Sequence, residues 1–116
     1  MKLVVAMEPR SYREAIGTFF REVRENLEVS VAEPVTLGEM VTSFNPDLVF
    51  SSDPKTPSTG RWPAWLEFHS GTYGQAVTLY LDGECSKIED VDLGDLLSIV
   101  DRVERSLANS PRLRRH

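Results

Sequence analysis

The chain has 116 residues, 41% of them hydrophobic and 27% charged, which is the size of one domain and too apolar for a disordered segment. Thirteen Lys and Arg against eighteen Asp and Glu leave a net charge of −5, so the cationic surplus that a phosphate backbone requires is missing and no nucleic-acid partner is expected. A lone cysteine, Cys85, excludes an internal disulfide and a Cys-rich zinc site, and His69 with His116 are too few for a histidine metal cluster.

Leu3-Val4-Val5-Ala6-Met7 is a short continuous apolar run, the pattern of a strand covered on both faces. It reaches an acid at Glu8, so it does not read as a signal peptide. Ser11 and Glu14 have capping-box spacing and predict the start of a helix. Tyr12, Ala15, Ile16, Phe19, Phe20, Val23 and Leu27 then recur at helical spacing and form one apolar stripe. Gly17 interrupts that stripe at a cost of about 1 kcal/mol relative to alanine. A second strand is expected at Val29–Ala32. Thr36 and Glu39 repeat the capping-box spacing ahead of a short amphipathic helix through Leu37, Met40, Val41 and Phe44. Asn45-Pro46 stops it, because the residue before proline is displaced from the α region. Leu48–Ser52 is the third strand. Strands alternating this closely with helices imply right-handed crossovers and a parallel sheet.

The second half differs. Asp53–Pro63 carries three prolines and a glycine and reads as a loop. Trp65–His69 alternates weakly, Gly71–Gly74 reads as a turn, and Ala76–Leu81 is a strand with Val77, Leu79 and Leu81 on one face. Asp82-Gly83 is a hairpin signal, which predicts an antiparallel partner strand over Glu84–Val91. Asp92 is placed to cap a last helix carrying Leu93, Leu96, Leu97, Val100, Val103 and Leu107. From Asp82 to Asp101 there are seven acids and one base, whereas residues 102–116 hold five arginines and one acid. That order suits the dipole of the last helix. One domain is expected over residues 1–109, with a basic tail at 110–116. No apolar run reaches the roughly 18–20 residues of a bilayer span, so the expected compartment is the cytoplasm, without membrane contact.

Val4-Val5-Ala6-Met7-Glu8-Pro9 followed by Tyr12-Arg13-Glu14-Ala15 resembles the opening of response-regulator receiver domains. Asn45-Pro46-Asp47-Leu48-Val49-Phe50 resembles the run that leads into the receiver phosphoacceptor, and the intervening lengths agree. The resemblance covers about residues 1–53. It implies an α/β fold: a receiver- or flavodoxin-like three-layer sandwich, parallel in its first half, with an antiparallel hairpin replacing part of the second. The family's chemistry does not carry over. The acidic pair that holds Mg²⁺ in receivers is replaced by Ala6 and Met7, neither of which can ligate a cation that takes oxygen donors. The phosphoacceptor position falls on Ser52, with Asp53 one residue along and therefore pointing to a different side. The resemblance thus implies a pseudo-receiver without an aspartyl-phosphate switch.

The carboxyl ends of the strands, where open α/β sheets bind ligands, are expected to collect Glu8, Ser51, Ser52, Asp53 and His69 as a polar crevice. Ser52 with His69 lacks the Gly-x-Ser-x-Gly elbow of a serine hydrolase. No catalytic residue, metal site or cofactor is expected, and the chain does not read as an enzyme. Trp62, Trp65, Tyr73 and Tyr80 either anchor a partner from the surface or cover the edge of a small sheet. Cys85 reads as a semi-buried strand residue with no base to activate it. The expected function is a phosphorylation-independent regulatory module that contacts a protein partner or a second copy of itself as a homodimer. The exposed face of the last helix and the hairpin edge are the expected contact surfaces. The alternative is a sensor that binds a small polar ligand in the strand-end crevice.

Overall fold

A computed structural model of the chain describes residues 1–52, 64–70, 75–81 and 84–108. In chain order the elements are β1 (Lys2–Ala6), α1 (Arg10–Val23), β2 (Glu28–Val31), a single 3₁₀ turn (Pro34–Thr36), α2 (Leu37–Phe44), β3 (Leu48–Ser51), β4 (Ala64–Ser70), β5 (Gln75–Leu81), β6 (Glu84–Ile88) and α3 (Leu93–Ala108). The strands form one six-stranded sheet in the order β2-β1-β3-β4-β5-β6. β2, β1, β3 and β4 run parallel to one another, and β5 and β6 are added antiparallel. The result is a mixed α/β protein with a mostly parallel sheet. The expected loop at Asp53–Pro63, the turns at Gly71–Gly74 and Asp82-Gly83, and the tail at 110–116 lie outside the described residues.

The period-two alternation of the strands divides the core between two faces. Leu3, Val5 and Met7 of the first strand and its exit, Leu48 and Phe50 of β3, Leu66 and Phe68 of β4, and Val77 and Leu79 of β5 pack with Ile16 and Phe20 of α1 and with Leu96, Ile99, Val100 and Val103 of α3. A chain of edge-on and tilted ring contacts threads this layer: Tyr12 to Phe68 at 6.3 Å, Phe68 to Phe50 at 5.4 Å, Phe50 to Phe20 at 5.7 Å and Phe20 to Phe19 at 5.2 Å. On the opposite face Val4, Ala6, Val49 and Trp65 pack with Met40, Val41 and Phe44 of α2. Helices therefore lie on both sides of the sheet.

Helix starts follow local chemistry only in part. Asp92 and Asp95 cap α3 reciprocally: the Asp95 N–H donates to Asp92 Oδ1 at 2.8 Å and the Asp92 N–H donates to Asp95 Oδ2 at 3.1 Å. The box expected at Ser11 and Glu14 does not form. The helix begins two residues earlier, at Arg10, with Pro9 in the N-cap position and no side-chain cap, and the Glu14 carboxylate accepts from Arg10 Nε at 2.7 Å instead. Proline's fixed φ suits the helix entry and moves the boundary. Thr36 does occupy the N-cap of α2, but with ψ near 4° its hydroxyl donates back to the Glu33 carbonyl at 2.9 Å rather than capping. β6 also ends before the expected Val91, because Asp90 takes a left-handed φ of 53° and turns the chain towards α3.

Candidate strand-end site and a polar row across the sheet

At the carboxyl ends of the parallel strands, Ala6 sits opposite Ser51 in the β1–β3 register, and both are fully buried. Met7 is equally buried and belongs to the layer beneath α1 and α3. The end of the first strand thus presents a methyl group and a thioether inside the core. Ser52 follows on the exit from β3, and its hydroxyl accepts the Glu8 backbone N–H at 2.9 Å, which ties the ends of the first and third strands together. Asp53 lies outside the described residues.

Beside this tie lies a residue that composition-based reading passes over. Arg13, in the first turn of α1, is only 5% exposed. Its Nη1 donates to the Met7 carbonyl at 3.5 Å and stands 3.6 Å from Glu8 Oε1, on a Glu8 side chain that is 60% exposed. Arg13 precedes Ile16 by three positions and Phe20 by seven, so it lies on the buried stripe of the helix. That spacing was the available signal. Further out on the same helix, Arg10 and Glu14 form an exposed i,i+4 pair. The hydrogen bond from Arg10, and then its charge, hold the Glu14 carboxyl below its usual range. Burial pushes the Tyr12 phenol up.

The expected crevice is divided. Ser51 and His69 do not join Glu8 and Ser52; they belong to the sheet face that carries α2. Register places Ala6, Ser51, Glu67, Thr78 and Lys87 in one row across β1, β3, β4, β5 and β6. Glu67 and Thr78 in this row are both buried. Tyr80 donates its hydroxyl to Glu67 Oε1 at 3.3 Å, and His69 Nε2 lies 2.8 Å from Thr78 Oγ1 and 3.8 Å from Glu67 Oε1. Next to the row, Trp65 Nε1 is buried with no hydrogen-bond partner among the described residues. Single-sequence reading could not assemble this cluster, because it depends on the relative register of three strands. Among the described residues no three His, Cys, Asp or Glu side chains come together as a metal site.

The aromatic candidates also separate. Trp65 is 4% exposed and packs with the layer beneath α2, so burial takes it off the surface, and Tyr80 is half-buried beside it. Trp62 and Tyr73 lie outside the described residues. Cys85 is exposed on β6 rather than semi-buried, because β6 is the outermost strand and Cys85 points to the face opposite α1 and α3. Between α1 and the start of α3 lies a largely apolar cavity of about 380 Å³, lined by Tyr12, Ala15, Ile16, Phe19, Val91, Asp92 and Leu93. No helix among the described residues is long and apolar enough to cross a membrane.

Comparison of the chain with protein-family models, with curated proteins and with solved structures finds no match in any of the three.

Proposed function

We propose that this chain is a degenerate receiver-like domain that works in regulation without phosphorylation, through non-covalent contact with a protein partner or a second copy of itself. The observation that carries this reading is the pair Ala6 and Met7, both 0% exposed at the end of the first strand, where a phosphorylatable domain needs oxygen ligands for Mg²⁺. Two further features support it. The parallel order β2-β1-β3-β4 agrees with the first four strands of a flavodoxin-like sheet, although the antiparallel β5 and β6 depart from that pattern. The Ser52 hydroxyl is engaged in holding the Glu8 backbone, a structural task in place of a nucleophilic one.

The test is intact mass after incubation with acetyl phosphate and Mg²⁺, with tryptophan fluorescence followed through the Mg²⁺ titration. The expected result is an unchanged mass and no saturable fluorescence response. A stoichiometric phosphoryl adduct, at Asp53 or elsewhere, overturns the reading. Sedimentation velocity across a concentration series then addresses the choice between self-contact and a separate partner, with a concentration-dependent mass expected for the former.

A further inference from the structure

The residues of α3 divide by what they meet. Leu96, Ile99, Val100, Val103 and Leu107 are buried in the core. Asp101 and Glu104 are held from α1 and its exit: Arg24 donates to both Asp101 oxygens at 3.4 and 3.2 Å, and Asn26 Nδ2 donates to Glu104 Oε2 at 2.9 Å. Gly94, Asp95, Ser98, Arg102 and Arg105 remain, and spacings of three and four place them on one outward face. Arg102 and Arg105 are exposed, and neither takes part in a hydrogen bond or ion pair among the described residues.

The charges of this face are segregated along the helix axis. Asp92 and Asp95 stand at its start, each using one oxygen to hold the other's backbone N–H. Arg102 and Arg105 stand in its second half. The helix dipole explains the order of signs. It does not explain their spacing: Asp95 and Arg102 are centred on the peptide bond between Ser98 and Ile99, and so are Asp92 and Arg105. Turning a second α3 end for end about that point brings Asp95 level with Arg102 of the second copy and Asp92 level with its Arg105. Twofold symmetry makes each pairing twice. A parallel alignment would set acid on acid and arginine on arginine. Near the crossing, Gly94 and Ser98 are small and exposed, and leave room for two helix axes to approach to the roughly 8–10 Å of packed helices.

We propose that the partner is a second copy of this chain, docked α3 against α3 in antiparallel register through reciprocal Asp95–Arg102 and Asp92–Arg105 ion pairs. The proposal rests on the contact reading given above and deepens it, by committing to one occupant and one surface.

The experiment is sedimentation velocity of the full chain across a concentration series, which is expected to show a shift from monomer to dimer. Arg102→Asp should weaken the dimer at least about tenfold, because the reversal replaces two attractive contacts with two repulsive ones. Asp95→Arg should do the same. An equimolar mixture of the two variants should recover association, since each supplies the charge that the other has lost at both contacts. Asp95→Arg also gives up the bond to the Asp92 N–H. Arg102→Asp disturbs no bond within the described chain and decides the matter alone if the other variant fails to fold. An Arg102→Asp dimer as tight as wild type overturns the proposal, and so does a mixture of the two folded variants that stays monomeric. A wild-type chain that is monomeric up to about 1 mM overturns it as well, while leaving contact with a separate protein standing. A phosphoryl adduct would strike the broader reading without touching the dimer.

Discussion

Gly17 of α1 and Val31 of β2 approach so closely that a Cβ on Gly17 would stand 2.6 Å from Val31 Cγ2. The obstacle is a methyl group of a β-branched side chain with restricted rotamers. Helix propensity alone favours alanine at this position by about 1 kcal/mol. Overpacking costs about 1–3 kcal/mol and wins. Gly17→Ala should therefore lower the unfolding free energy in urea, and adding Val31→Ala to it should recover much of the loss. A Gly17→Ala variant more stable than wild type would contradict this close approach of α1 to β2.

The capping signals at Asp92 and Ser11 separate by experiment. Asp92→Ala removes an N-cap acceptor at 2.8 Å and should cost about 1 kcal/mol. Ser11 lies inside the first turn of α1, exposed and without a capping bond, so Ser11→Ala should change stability by less than about 0.5 kcal/mol. Paired thermal melts of the two variants check this, and a larger loss from Ser11→Ala would contradict the helix start at Arg10.

Tyr80→Phe deletes the hydroxyl that donates to the buried Glu67 carboxyl at 3.3 Å. A buried acceptor left without its donor costs about 1–3 kcal/mol, and denaturant unfolding of this variant should show a loss within that range. Glu67→Gln in the same background should give less than the sum of the two single losses, since both substitutions act on one contact.

Two groups give pH dependences of opposite direction. The Glu14 carboxyl is held below its usual range, chiefly by the hydrogen bond from Arg10. A folded pKa below the unfolded one gives stability that is present above the unfolded value and lost as pH falls through the folded value. The stability gap between wild type and Glu14→Gln should thus close on acidification below the ordinary carboxylate range. It should also shrink in high salt, because the pair is exposed. Burial raises the Tyr12 phenol, so its contribution is complete below the ordinary tyrosine value and lost as pH rises through the folded one. Tyr12→Phe should remove that alkaline component from the stability profile, as read by urea midpoints.

Element identity was written locally in this chain, and spatial assembly was not. The stripe from Tyr12 to Phe20 and the apolar runs at Leu3–Met7 and Leu48–Phe50 specify α1, β1 and β3 because burial imposes periods of 3.6 and 2 on the residues themselves. Arg13 satisfied the same helical period, but a charged residue is so seldom buried that its place on the stripe carried no weight against its chemistry. Trp65, read as either an anchor or a cover, was decided by which face of β4 meets α2. The row from Ser51 through Glu67 to Thr78 depends on pairings between strands whose mutual register no single strand encodes.

The order of the sheet also divides the chain by the distance its contacts must reach along the sequence. β4, β5 and β6 pair each with the next, across connections of four and two residues, so their ladders close over short segments. β1 finds β3 only after β2 and α2 have been looped out, with Leu3 opposite Leu48. Chain closure over the longer span carries the greater entropic cost, and non-local pairing slows folding. The carboxyl-terminal meander is thereby the part of the sheet able to organise first. It offers the edge of β4 as a template on which β3, and then β1 and β2, complete the molecule.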